Sequence, residues 1–174
     1  IGAILEHPIF YPYLTGVQNL KIVCEIKGIP YSRIDEVLEQ VSLDERKDTK
    51  FKTYSLGMKQ RLSIASALLC DPEVMLLDEP TNGLDPQGIA EIRELIIDIA
   101  NSGKTILLAS HLLDEVQNVC SHFAVLRRGK LMHTGLVEDV DKGDITIEVK
   151  ADTDNLQNIL ENSGMTSKVK RERD

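Results

Sequence analysis

The 174-residue sequence has no basic surplus, no long apolar run and no closely spaced cysteine pair, and each absence excludes something. Lys and Arg number 20 against 28 Asp and Glu, a net charge of -8 that argues against nucleic-acid binding, since phosphate binding wants a basic face. The mixed-sign KVKRERD tail is short and reads as a solvated end. No apolar stretch reaches the roughly 18 residues of a membrane span, and no secretory signal opens the sequence. Cys24, Cys70 and Cys120 lie far apart, as suits reduced core thiols in a cytosolic compartment better than disulfide or zinc ligands. No internal repeat is visible. Ile1 opens IGAILEH, which reads like the middle of a domain, so we expect a chain without its natural beginning. What remains, 42% hydrophobic and 28% charged, is an ordinary globular composition, enough for one domain with or without a small appendage.

The stretch from Tyr54 to Asp85 organises the rest. Within it, Val74 to Leu77 is a short apolar run that stops at Asp78 and Glu79, followed by Pro80, which cannot continue a sheet ladder. Such a run between turn residues reads as a fully buried strand of a parallel sheet. Open α/β sheets place their chemistry at the carboxyl ends of strands. Two carboxylates there make a site for a divalent metal and a water, the requirements of phosphoryl transfer.

Ahead of this strand, Ile1 to Leu5 suits a strand end and EHPIFYPYLTG a loop. Apolar spacing predicts helices over Val17–Lys27, ended by Gly28 and Pro30, and from Ser32 to Val41, with Ser32 and Asp35 resembling a capping box. SLDERKDTKFKTY reads as a connection, and Met58–Cys70 as a third helix with Leu62, Ala65 and Leu69 on its buried stripe. Beyond the strand, Asp85-Pro86 supplies an N-cap and a first-turn proline for a helix closed by Gly103. Thr105–Ala109 is a second strand. Leu112–Cys120 is a helix whose Asp114 and Glu115 suit the dipole of its first turn. Phe123–Leu126 and Leu131–His133 form a hairpin around Arg128-Gly129-Lys130. The alternation predicts an α/β fold with a mainly parallel sheet, preceded by an all-helical block. After Gly143, the alternating ITIEV and a weak helix over Asn155–Leu160 suggest the start of a small α+β accessory domain.

Singly, each polar feature has an ordinary explanation: Asp78-Glu79 a solvated strand end, Ser55-x-Gly57 a helix-opening turn, His111 a structural histidine, Asp85 a helix cap. Their order in one chain points elsewhere. YSLGMKQRLSIA, then VMLLDEPTNGLD, then LLASH resembles the signature, Walker B, D-loop and switch-histidine series of ABC transporter ATPases, over about residues 1–136. ILEHPIFYPYLTGVQNL, SLGMKQR and TNGLDPQGI are most similar to ATP-binding subunits of bacterial ABC-2-type exporters, nearest the bacitracin-export and lantibiotic-immunity groups.

The resemblance implies a P-loop NTPase-type domain in two parts, a helical subdomain at about 9–70 and an α/β part at 71–136, with 137–174 an extension. It implies ATP and Mg²⁺ as cofactors, a polytopic membrane permease and a second ATPase subunit as partners, and a peripheral place on the cytoplasmic face of the membrane. Under it, Ser55, Gly57 and Met58 face the γ-phosphate bound to the partner subunit, where hydroxyl, backbone N–H groups and helix dipole favour an anion. Asp78 holds Mg²⁺ and Glu79 polarises the attacking water as general base. His111 senses the γ-phosphate, and Asn82 to Asp85 cross the dimer interface. Glu6 stands where the family commonly has a glutamine that senses the metal; a carboxylate still meets a metal or its water but donates no hydrogen bond. Tyr54, Leu56 and Met58 depart from the commoner LSGGQ, and Leu56 removes one glycine's freedom of close approach. The loop Pro8–Tyr13 either packs the helical block or, as the resemblance implies, helps dock the membrane subunit through exposed aromatics.

The phosphate cradle G-x-x-x-x-G-K-[ST] does not occur. Gly103-Lys104-Thr105 imitates its end, but Asp98 stands where the first glycine belongs and the segment leaves a helix for a strand, the wrong order. We therefore expect this chain alone to bind ATP poorly, to be inactive as an ATPase and to leave apolar sheet surface uncovered. Two further readings stand beside an exporter ATPase: a non-catalytic partner lending its signature helix to a complete subunit, and a soluble ABC-type ATPase of ribosomes or DNA.

Overall fold

The computed structural model describes residues 1–4 and 9–140. Strand β1 (Gly2–Ile4) leads into helices α1 (Gly16–Lys27), α2 (Ser32–Gln40) and α3 (Leu56–Leu68). Strand β2 (Val74–Asp78), helix α4 (Pro86–Asn101), strand β3 (Thr105–Ala109) and helix α5 (Leu113–Val119) follow. The hairpin β4 (His122–Arg127) and β5 (Lys130–Leu136) and a single turn, α6 (Val137–Val140), complete them. Ile1–Asp141 form one compact unit and Lys142–Asp174 fall in a second. The expected strand at ITIEV, the helix over Asn155–Leu160 and the charged tail lie outside the described residues.

Strands β1, β2 and β3 form a parallel sheet in that order, with Ile4 opposite Leu77 and Asp78 opposite Ala109. The expected parallel α/β arrangement after a helical block is thus present. Strand β2 is half-buried rather than fully buried. Met75 and Leu77 are enclosed, whereas Leu76 is 38% exposed and Leu107 beside it on β3 is 64% exposed. Among the described residues one face of the sheet packs on helices and the other is bare, the uncovered apolar surface that the sequence leads one to expect. The hairpin turn, Arg128-Gly129, has positive φ at both residues (49° and 74°), as a two-residue turn between twisted strands requires.

The core is continuous from the helical block to the covered sheet face: Leu20, Leu38, Leu62 and Leu68 join Met75 and Leu77, and Ile92, Ile96 and Ile99 of α4 close it. Each such side chain contributes about 1.5–3 kcal/mol by leaving water. Helix α3 is buried on nearly all sides, Ser63, Ile64 and Ala67 as well as Leu62 and Ala65, so a single stripe understates it. It is the pillar between the helical block and the sheet.

Several local expectations are corrected. Helix α1 opens one residue early on a full capping box: Thr15 Oγ1 accepts from Gln18 N–H, and the Thr15 N–H donates to Gln18 Oε1. Ser32 caps nothing; it lies inside α2 behind Tyr31, which has helical φ and ψ, and Asp35 turns instead to Lys47 at 2.6 Å. The presumed connection before Tyr54 contains two one-turn 3-10 helices, Asp44–Arg46 and Phe51–Thr53, and buries Leu43, Phe51 and Tyr54. Helix α3 begins at Leu56, two residues before the expected Met58. Of the three thiols only Cys24 is buried; Cys120 is intermediate and Cys70 exposed, since it follows the end of α3 where the chain turns outward.

Candidate functional site

The predicted residues fall into two clusters. The first lies at the carboxyl edge of the sheet. Asp78 ends β2 with its side chain exposed, and Glu79, turning out of the strand, is held at φ 47°. A positive φ is strained for a side chain with a Cβ and persists only where the surroundings enforce it. They do so by hydrogen bonds: Glu79 N–H donates to Ala109 O at 2.9 Å, and Asn82 N–H to Glu79 O at 3.1 Å. The turn aims Glu79 at the end of β3, where its Oε2 lies 2.8 Å from His111 Nδ1. The histidine side chain is 64% exposed and the carboxylate 23%. A carboxylate is acceptor-only, so Nδ1 carries the shared hydrogen and Nε2 faces outward with its lone pair when the ring is neutral. Strand β1 ends opposite Leu77 at this same edge; Glu6 and Pro8 lie outside the described residues.

The second cluster is the start of α3 against the start of α4. Ser55 is the N-cap of α3, its Oγ accepting from Met58 N–H at 3.2 Å. Asp85 is the N-cap of α4, its Oδ1 accepting from Gly88 N–H at 3.1 Å, with Pro86 at the first helical position. Both caps were legible in the sequence. Together with Leu56, Gly57, Met58, Leu84 and Arg61 they line an open hollow of about 440 Å³. Gly83 takes φ 76°, and a Cβ there would meet the Leu56 side chain at 3.2 Å, so glycine answers both the backbone and the close approach. Arg61 ties the cluster together, donating to Val41 O and to Glu91 Oε2, each at 3.0 Å. None of Asp78, Glu79 and His111 lines this hollow. Within one chain, the acidic pair and the serine-led helix start are separate sites.

Glu115 lies in the first turn of α5 as expected, but it is 1% exposed and accepts hydrogen bonds from Thr81 Oγ1 and, at 2.6 Å, from Ser110 Oγ, two residues the sequence does not single out. A buried carboxylate with two hydroxyl donors leaves no periodic signature. The Pro8–Tyr13 loop divides between its two readings: Phe10 packs edge-on against Phe51 at 5.3 Å, while Tyr11 and Tyr13 stay exposed.

The donor set discriminates among metals. No cluster of three or more His, Cys, Asp or Glu that would cage a metal occurs among the described residues. An exposed carboxylate such as Asp78 suits a hard ion that keeps most of its water and takes further oxygens from phosphates, as Mg²⁺ does.

Residues 1–82 match the family model described as ABC transporter. Over that stretch the chain carries an ABC transporter domain. It is 48% identical over 134 residues to the bacitracin transport ATP-binding protein BcrA of Bacillus licheniformis, covering 76% of this chain and 44% of that protein. It is 42% identical over 132 residues to the lantibiotic transport ATP-binding protein SrtF of Streptococcus pyogenes, covering 76% of this chain and 58% of that one. The bacitracin and lantibiotic groups that the sequence resembles are therefore among its relatives. The chain spans about half the length of the curated relatives it matches. In structure it superposes on cbiO1 of Clostridium perfringens, part of the ABC transporter complex cbiONQ, with a TM-score of 0.74 and 29% identity over 81% of this chain and 59% of that one. The fold is accordingly α/β, of the P-loop NTPase type that ABC ATPases share. No helix among the described residues is long and apolar enough to cross a membrane.

Proposed function

We propose that the chain forms the signature, Walker B and switch-histidine part of an ATP-hydrolysing subunit that drives export through a separate membrane permease. The observation that carries this reading is the Glu79–His111 pair, 2.8 Å apart at the carboxyl edge of the sheet beside Asp78. Glu79 acts as general base on the attacking water, and His111 orients the carboxylate through Nδ1–H; with the ring protonated both nitrogens donate, so Nε2–H then donates to the γ-phosphate. Asp78, with Glu6, is the residue that would hold Mg²⁺, which supplies neutralisation of the phosphate oxygens. Ser55, Gly57 and Met58 offer a capped helix start to the nucleotide of a second subunit, and Asp85 lies at that interface; the separation of the two clusters within one chain supports pairing across a dimer. The 9–70, 71–136 and 137–174 division, the peripheral cytoplasmic-face location and the supply of a phosphate cradle by a segment outside these residues belong to the same proposal.

The non-catalytic alternative is favoured by one feature, the Ser55 hollow's independence from Glu79. Phosphate release by the full-length protein carrying Glu79→Gln separates the two. The amide cannot accept a proton from water, so turnover falls at least about 100-fold with Mg-ATP binding retained, a loss of the size general-base removal causes. Unchanged turnover would leave the chain a binding partner and end the catalytic reading.

A further inference from the structure

We propose that Glu115 is a positioning residue that sets the Glu79–His111 pair by clasping the two loops that carry it. The inference rests on the catalytic reading above for its importance, but its geometry stands alone. Thr81 is two residues beyond Glu79, and Ser110 immediately precedes His111. Both hydroxyls donate to one carboxylate, Thr81 to Oε1 and Ser110 to Oε2 at 2.6 Å, so a single buried group fixes both loops. Backbone bonds carry the constraint outward. Leu84 N–H donates to Thr81 O at 3.1 Å, Leu112 N–H to Ser110 Oγ at 3.1 Å, and Asn82 N–H to Glu79 O at 3.1 Å. Helix α5, which supplies Glu115, is pinned from its other side by Arg93 to Asp114 at 2.6 Å. The Ser110 hydroxyl, which also accepts from Leu112 N–H, carries the clasp to the backbone on both sides of His111.

A carboxylate is an expensive way to fill a core position, and an apolar side chain holds a helix without the desolvation cost. What the carboxylate adds is direction: two acceptor oxygens on one rigid plane fix the spacing of two hydroxyls. Displacing either loop by an ångström breaks the 2.8 Å contact between Glu79 and His111, and misplacement of that size costs roughly 100-fold in rate. Glu115 touches neither member of the pair, and its role is to keep them in register.

The test uses the full-length protein with ¹⁵N-labelled histidine and two readouts, the tautomer of neutral His111 by NMR and steady-state ATP hydrolysis. Glu115→Met keeps length and removes both acceptors. It shifts His111 from the Nδ1–H towards the Nε2–H form and lowers kcat by about 10- to 100-fold, with KM for ATP within about twofold. The triple variant Thr81→Val, Ser110→Ala, Glu115→Met removes the stranded hydroxyls as well. It regains the wild-type urea midpoint but not the tautomer or kcat, which a merely structural residue would restore together. Should Glu115→Met fail to fold, Ser110→Ala breaks half the clasp and gives a smaller shift of the same sign. A wild-type tautomer population in the folded triple variant overturns the proposal. A tautomer shift in a protein that hydrolyses no ATP upholds the clasp and removes only the ATPase reading.

Discussion

Arg61 joins three elements, and its removal separates two contacts of different strength. Its side chain is 15% exposed, and the guanidinium donates to Val41 O and to Glu91 Oε2, both at 3.0 Å. Val41 closes α2, is itself fully buried, and presents one of the carbonyls that a helix end leaves unpaired, where a cation is also favoured by the dipole. Losing a hydrogen bond from a charged donor to a buried carbonyl costs about 1.5–3 kcal/mol. Glu91 is 45% exposed, so its ion pair is screened and worth only about 0.5 kcal/mol. The Arg61 stem adds about 1 kcal/mol of packing. Arg61→Ala should therefore destabilise by about 3–4 kcal/mol, Glu91→Ala by about 0.5 kcal/mol, and their coupling should stay near the smaller figure. Urea denaturation of wild type, both single variants and the double variant measures all three. Equal losses from the two single variants, with coupling as large as either, would refute the reasoning and make the ion pair, not the helix-end carbonyl, the main contact.

Two further outcomes follow from other parts of the fold. Gly16→Ala places a methyl group in a helix, worth about 0.5–1 kcal/mol by propensity, yet its Cβ would lie 2.5 Å from Tyr54 Oη and 3.2 Å from Lys47 O. Tyr54 is buried and donates to Arg46 O at 2.8 Å, so crowding of about 1–3 kcal/mol wins and the thermal midpoint falls by several degrees; a raised midpoint would contradict this. The Lys104 ammonium, hydrogen-bonded at 2.6 Å, holds the Asp71 carboxyl below its ordinary value, with Arg33 assisting. That contribution is present above the unfolded-state value, near 3.9, and is lost as pH falls through the lower folded value. NMR titration should find Asp71 below the usual carboxylate range in the wild type and returned towards it in Lys104→Met.

How much the residue order specified depends on how local the cause is. The caps at Ser55 and Asp85, Pro86 at the start of α4, the stop at Gly103, the hairpin at Arg128-Gly129 and the strand ending on Asp78 rest on neighbours within four residues, and all are legible before folding. The Thr15–Gln18 capping box is equally local but lies ahead of the apolar spacing, which starts only at Val17. Buried Phe51 and Tyr54 inside a polar stretch were hidden for another reason: two aromatics in a charged segment have no period to reveal their direction.

The sequence by itself determined the order of elements, the parallel sheet and which side chains are chemically able to act, because propensity, capping and hydrophobic period are short-range. Only tertiary structure decided that Glu79 reaches His111, that Glu115 is buried between Thr81 and Ser110, and that Ser55 shares a hollow with Asp85 but not with Glu79. Glu79 with His111, Thr81 with Glu115 and Ser55 with Asp85 are each about 30 positions apart, and their distances follow from how β2 and β3 pair and how α3 packs on α4, which no window of neighbouring residues contains.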